Sequence, residues 1–238
     1  MALFRRLREC GVIFWYLMPE LFRMSWGVWK LSRLPRPRVS IFGGSRVPYD
    51  GTYSKQAMEL SGKLITHNIS VITGGGPGIM QAANCGASPD IKGPLRSIGI
   101  TVKGLDEKQF AKCTQELIAT KYFWSRKWLL TFYSDAFVVF PGGFGTLDEI
   151  GEITTLVQTK KLAPQPIVLM DREYWAPLLA WVERAEKEGL LKEEDKNILH
   201  VTDSVDEALH IVHSRCELLM RLKPDAPSNK PGKPGNPH

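Results

Sequence analysis

Short apolar runs rich in Val and Ile alternate with longer amphipathic stretches between residues 39 and 222. Apolar runs without polar alternation are typical of strands buried on both faces, and the longer stretches carry apolar residues at helical spacing. The alternation predicts a parallel sheet with helices on both sides, a doubly wound, Rossmann-like α/β fold in a single domain. Ligands of such sheets bind at the carboxyl ends of the strands.

The pattern also predicts where each element lies. Strands are predicted at residues 39–42, 69–73, 97–102, 117–119, 136–140, 167–170 and 198–201. Helices are predicted at residues 53–67, 79–86, 123–133, 146–159, 175–187 and 205–222.

Both ends of the chain differ in composition from this central part. Residues 1–34 are crowded with large apolar side chains, but their longest uncharged run, residues 11–18, is far shorter than the roughly 20 residues of a membrane span. We expect one or two amphipathic helices, which either pack on the domain or a neighbouring subunit or lie on a membrane surface. Residues 35–38 (Pro-Arg-Pro-Arg) predict a stiff linker that closes an extension of residues 1–38. The proline-rich residues 223–238 predict a disordered tail.

The charge distribution and the cysteine spacing indicate which ligands and which cellular compartment to expect. Residues 1–38 hold eight basic and two acidic side chains, which account for the whole net charge of +6. The remainder is neutral, so nothing favours nucleic-acid binding. The four cysteines are far apart and form no CxxC pair. This spacing predicts neither a zinc site nor a disulfide framework, and it favours a reducing cytoplasmic location with no metal or cofactor.

Glycine-rich loops follow three of the predicted strands. They read GGS at residues 43–45, GGGPG at residues 74–78 and PGGFGT at residues 141–146. Glycine lets the backbone approach a phosphate, and the unpaired N–H groups of the following helix attract an anion. The chain lacks a GxGxxG motif after a strand, a GKS or GKT motif and a GxSxG motif, which disfavours dinucleotide, P-loop and nucleophile-elbow functions. The loops therefore predict a pocket for a phosphorylated small molecule.

A longer joint motif points to a family. An Arg126-Lys127 pair precedes the run PGGFGTLDE at residues 141–149. With this motif the chain resembles the Lonely Guy family of nucleoside 5'-monophosphate phosphoribohydrolases over roughly residues 38–222. The resemblance implies that Arg126 and Glu149 are the catalytic pair. It also implies phosphate or nucleotide contacts from Gly43, Gly44, Ser45, Gly74, Gly75, Gly76, Lys127, Gly142, Gly143, Gly145 and Thr146.

The implied reaction is hydrolysis of the bond between base and ribose in AMP or a cytokinin riboside monophosphate. A carboxylate suits the oxocarbenium-like sugar of such a reaction, and an arginine fork suits phosphate or ribose oxygens. A simpler interpretation assigns Glu149 to the helix dipole and Arg126 to a surface ion pair. Two further alternatives are a non-catalytic carrier of a phosphorylated ligand such as molybdenum cofactor, and a membrane-tethered protein with a vestigial pocket. The resemblance also implies a homodimer or larger assembly with residues 151–161 near the interface.

Overall fold

The fold is a seven-stranded parallel sheet with helices on both faces. A computed structural model of the chain describes residues 2–88, 90, 92–104 and 113–222. The strands are β1 (Arg38–Phe42), β2 (Ser70–Thr73), β3 (Ser97–Val102), β4 (Glu116–Thr120), β5 (Ala136–Val139), β6 (Ile167–Met170) and β7 (Leu199–Thr202). All pair in parallel, in the order β4-β3-β2-β1-β5-β6-β7. The predicted fold class is confirmed.

This strand order places a switch point between β1 and β5. The chain builds outward from β1 through β2, β3 and β4, and then returns to β5 on the other side of β1. The helices that follow β1 and β5 therefore lie on opposite faces of the sheet, and a crevice opens at its carboxyl edge where the chain parts. Two of the glycine loops follow these two strands.

In the part of the chain that the structure describes, seven α-helices connect and cover the strands. They are α1 (Ala2–Arg33), α2 (Thr52–Thr66), α3 (Ile79–Ala87), α4 (Phe123–Phe132), α5 (Phe144–Gln158), α6 (Arg172–Lys187) and α7 (Val205–Leu222). A short 3-10 helix precedes β7. The helix α5 begins at Phe144, two residues earlier than predicted, so the second half of the PGGFGT loop is already helical.

Alternating strand residues feed two separate cores. Along β5, Ala136 and Val138 face a core formed with α2, α3 and α7, whereas Phe137 and Val139 face a core formed with α4, α5 and α6. Each of these four side chains is fully buried. Burial of both faces explains why the strands read as continuous apolar runs.

The predicted N-terminal extension is one continuous helix, α1, which passes through Pro19. Its last turns pack on the domain, because Leu31 is fully buried and belongs to the second core. The carboxylate of Glu20 is also buried and accepts hydrogen bonds from the backbone N–H of Lys121, at 3.0 and 3.1 Å, and from Ser125 Oγ. Packing on the domain is thus correct for residues 20–34. Arg38, expected in the linker, is the first residue of β1.

One expectation about the cysteines is wrong. Cys85 in α3 and Cys113, just before β4, form a disulfide with their Cα atoms 4.7 Å apart. They are 28 residues apart in sequence, and only the packing of α3 beside the β3–β4 edge brings them together. The argument for a reducing compartment therefore no longer holds. Within the described residues, no helix combines the length and the apolar character that crossing a bilayer requires. The predicted tail, residues 223–238, lies outside the described residues.

Candidate active site

Three glycine loops are joined at the carboxyl edge of the sheet. Gly44, after β1, donates its backbone N–H to the carbonyl oxygen of Pro141, after β5, at 2.9 Å. The carbonyl oxygen of Gly44 accepts from the N–H of Ile79, at the start of α3, at 3.2 Å. The loop after β1 is thus clamped between the other two, and together they bound a cleft of about 500 Å³.

Most of the predicted site residues meet in this cleft. Those that line it are Gly43, Gly44, Ser45, Gly74, Gly76, Arg126, Gly143, Gly145, Thr146 and Glu149. The other lining residues are Phe42, Arg46, Pro77, Met80, Thr101 and Phe144. Pro77 and Phe144 belong to the predicted glycine loops. The other four were not predicted, although Arg46 directly follows the GGS turn and Thr101 lies near the end of β3, where such sheets hold ligands.

The N-terminus of α5 is open toward the cleft. Gly143 precedes the helix as its N-cap, and the N–H groups of Phe144 and Gly145 have no partner inside the helix, whereas the N–H of Thr146 donates to the carbonyl oxygen of Gly143 at 3.0 Å. A Cβ atom added at Gly143 or Gly145 would meet nothing within 4 Å. Neither glycine is needed for packing of the protein itself, and the room that it leaves belongs to the cleft. This is the arrangement of an anion site at a helix N-terminus.

Other glycines are required by the protein itself. Gly78 has φ +67°, and a Cβ atom there would lie 2.3 Å from the carbonyl oxygen of Gly44. At Gly74 a Cβ atom would lie 2.1 Å from Nη2 of Arg126. The second loop therefore holds the first loop in place and leaves room for the guanidinium group.

Arg126 and Glu149 form a buried ion pair on one side of the cleft. Arg126 lies on α4 and Glu149 on α5, and Nη1 of the arginine is 3.1 Å from Oε1 of the glutamate. Nε of Arg126 donates to the carbonyl oxygen of Ile100 at 2.9 Å, which fixes the plane of the guanidinium group. The side chains are only 13% and 6% exposed, respectively. A surface ion pair is therefore the wrong description of Arg126.

One oxygen of Glu149 has no partner. Its Oε2 atom is buried and forms no hydrogen bond within the described part of the chain. Burial raises the pKa of Glu149 above its ordinary value of 4.5, although the charge of Arg126 opposes the shift. A buried carboxylate with one unpartnered oxygen at a cleft can orient and deprotonate a water molecule.

Three predicted residues do not line the cleft. Lys127 forms ion pairs with Asp148 and Glu152, at 2.9 and 2.6 Å. Gly75 packs against β3 and has φ +69°, and its N–H donates to Thr73 Oγ1. The carbonyl oxygen of Gly142, in the PGGFGT loop, accepts a 2.6 Å hydrogen bond from the hydroxyl of Tyr174.

Comparison with protein families agrees with the motif. The family model described as "Possible lysine decarboxylase" matches residues 80–212. A cytokinin riboside 5'-monophosphate phosphoribohydrolase of Arabidopsis thaliana is 30% identical over 71% of this chain and 79% of its own length. A probable enzyme of the same name from Oryza sativa subsp. japonica is 29% identical over 72% of this chain and 70% of its own length.

Similar solved structures agree with the fold. The molybdenum cofactor binding protein of Rippkaea orientalis has a TM-score of 0.56 at 21% identity, covering 75% of this chain and 96% of its own. The molybdenum cofactor carrier protein of Chlamydomonas reinhardtii has a TM-score of 0.55 at 21% identity, covering 75% and 98%. At this identity the likeness concerns the fold alone. From the sequence match over most of the domain, this chain belongs to the Lonely Guy family, whose family model carries the lysine decarboxylase description.

Proposed function

We propose that this protein hydrolyses the N-glycosidic bond of a nucleoside 5'-monophosphate, releasing the free base and ribose 5-phosphate. The observation that carries the proposal is the buried Arg126–Glu149 pair, which shares one cleft with the open N-terminus of α5. An anion site and a carboxylate with an unpartnered oxygen lie on the same helix, about one turn apart.

The phosphate of the substrate binds at the start of α5. The backbone N–H groups near Gly143 and Gly145 donate to its oxygens, and the hydroxyl of Thr146 lines the same end of the cleft. Such an interaction depends on main-chain atoms, so it recognises the phosphate and leaves the base to other parts of the cleft. A 5'-phosphate held there directs the sugar toward Glu149.

Glu149 then acts on the sugar carbon. As the bond between C1' and the base nitrogen breaks, its electron pair leaves with the base and positive charge develops on the ribose. The carboxylate of Glu149 stabilises this charge and accepts a proton from water, whose hydroxyl bonds to C1'. The proton finally goes to the base nitrogen, so the reaction consumes one water molecule. Arg126 holds Glu149 in place and offers its remaining N–H groups to ribose or phosphate oxygens.

The buried carboxylate argues against a carrier without activity. A protein that only binds a phosphorylated ligand gains nothing from a buried carboxylate oxygen without a partner beside the ligand, because an unsatisfied buried oxygen costs free energy. The cost is explained if Glu149 acts in the reaction.

Assembly as a homodimer and location in the cytoplasm stay predictions.

Incubation of the purified protein with AMP, and with adenosine as a control, tests the proposal. We expect free adenine and ribose 5-phosphate in equal amounts from AMP. Adenosine, which lacks the phosphate, reacts at least about a hundredfold more slowly, because binding energy at a remote phosphate is used at the reacting carbon. Other nucleoside monophosphates, including isopentenyl-AMP, then define the base. If none of them releases a base while ribose 5-phosphate still binds, the protein is a carrier.

A further inference from the structure

The side of α1 that faces away from the domain is a continuous apolar surface. Residues that share the inner face, Glu20, Gly27 and Leu31, are buried against the domain. On the opposite face of the helix, Trp15 and Phe22 are 79% and 71% exposed. Phe14, Leu21, Trp26 and Trp29 extend this outer face, and each is about half exposed or more. The helix therefore buries one face against the domain and also presents large aromatic residues on its outer face, where an ordinary surface helix carries polar residues.

The first half of α1 extends past the sheet at the edge that holds the cleft. Lys30 contacts the start of β4 through the carbonyl oxygen of Leu117, whereas Glu20 contacts Lys121, just beyond its end. The helix thus runs antiparallel to β4, and residues 2–19 lie beyond the carboxyl edge of the sheet. At 1.5 Å per residue this segment is about 27 Å long. Of its aromatic side chains that the structure describes, Phe14, Trp15 and Tyr16 are all more than half exposed.

Basic side chains accompany this surface. Arg6 and Arg8 are exposed in the first turns of α1. The whole net charge of +6 lies within residues 1–38. Exposed tryptophans beside basic residues are typical of helices at a membrane–water interface.

We propose that the outer face of α1, defined by Phe14, Trp15, Leu21, Phe22, Trp26 and Trp29, binds the surface of an anionic lipid bilayer. The helix lies in the interface plane with these side chains among the lipids and the arginines at the headgroups. Charge decides against a second copy of the chain as the occupant, because the first turns of α1 carry the exposed Arg6 and Arg8, which repel the same turns of another copy whereas anionic headgroups attract them. This inference does not depend on the proposed reaction.

Vesicle flotation of the full-length protein tests the proposal. Vesicles of phosphatidylcholine alone are compared with vesicles that also contain phosphatidylglycerol. We expect the protein to float with the anionic vesicles. The double variant Trp15→Ser/Phe22→Ser lowers the partition coefficient by at least about tenfold, because two large apolar side chains are lost. Trp181→Ser on α6 removes a tryptophan that is 62% exposed elsewhere, and it leaves flotation unchanged.

A charge variant tests the second half of the claim. Arg6→Gln/Arg8→Gln lowers anionic binding by roughly fivefold per arginine, and added salt has the same effect. Protein that stays in solution with both vesicle types overturns the proposal, and equal binding to both overturns the requirement for anionic lipid. Sedimentation equilibrium covers the other occupant: if Trp15→Ser/Phe22→Ser turns a dimer into a monomer while vesicles bind neither protein, the face joins two copies instead.

Discussion

Replacement of Glu149 by glutamine removes the negative charge from the cleft and leaves its shape. The side-chain oxygen of the introduced amide still accepts the hydrogen bond that Arg126 now donates over 3.1 Å, so the fold and the arginine stay in place. The proton acceptor at the unpartnered Oε2 position is lost. Loss of a general base typically lowers kcat by about 10²–10⁴-fold, which corresponds to about 3–5 kcal/mol of barrier at 1.36 kcal/mol per tenfold. KM changes little, because the backbone of α5 holds the phosphate.

The neighbouring acid supplies a matched control. The side chain of Asp148 is 61% exposed and pairs with Lys127 outside the cleft. Asp148→Asn removes the same charge one residue away and keeps kcat within about threefold, because exposed ion pairs contribute little. Initial rates of adenine release from AMP measure both variants, with far-UV circular dichroism as the check of folding. Near-normal turnover by Glu149→Gln, or equal losses in both variants, would refute the assignment.

Three further predictions follow from single contacts. Gly145→Val leaves the free energy of unfolding within about 1 kcal/mol and weakens ribose 5-phosphate binding in calorimetry, since its side chain enters the cleft; Gly78→Ala instead costs about 2 kcal/mol or more in urea unfolding, because of its positive φ and the nearby carbonyl oxygen. Glu20→Ala removes the acceptor of the Lys121 N–H, whereas Ser125 Oγ keeps its hydrogen bond to the carbonyl oxygen of Tyr122, and the change costs roughly 1–3 kcal/mol in the same assay; wild-type stability would contradict this. Burial raises the pKa of Glu149, and the deprotonated carboxylate is the active form. We therefore expect kcat/KM to fall as the pH is lowered, with an apparent acidic pKa above the ordinary 4.5 of a glutamate. An apparent acidic pKa at or below 4.5 would contradict the buried base.

The strands and helices could be predicted from the sequence, because each depends on a local pattern of apolar and polar residues. The predictions for β3 at residues 97–102 and β6 at residues 167–170 match the structure residue by residue. Both are short apolar runs bounded by polar or proline residues. The prediction placed the start of α5 two residues downstream of its position in the structure. A glycine-rich first turn has no apolar periodicity, so the sequence pattern there resembles a loop.

Contacts between segments that are distant in the chain could not be predicted from the sequence. Within the GGG run, only the fold decides that Gly74 and Gly76 line the cleft while Gly75 packs against β3. The bridge between Cys85 and Cys113 likewise depends on the packing of two elements and has no spacing signal. Residue types and local motifs predicted a chemistry, and the sheet topology determined which residues share the cleft.

A crystal structure of Glu149→Gln soaked with AMP tests the central claim most directly. We expect intact AMP in the cleft, with phosphate oxygens within hydrogen-bond distance of backbone N–H groups at residues 143–145 and the ribose C1' facing position 149. An empty cleft, or a phosphate bound away from the start of α5 with the sugar out of reach of position 149, would contradict the account.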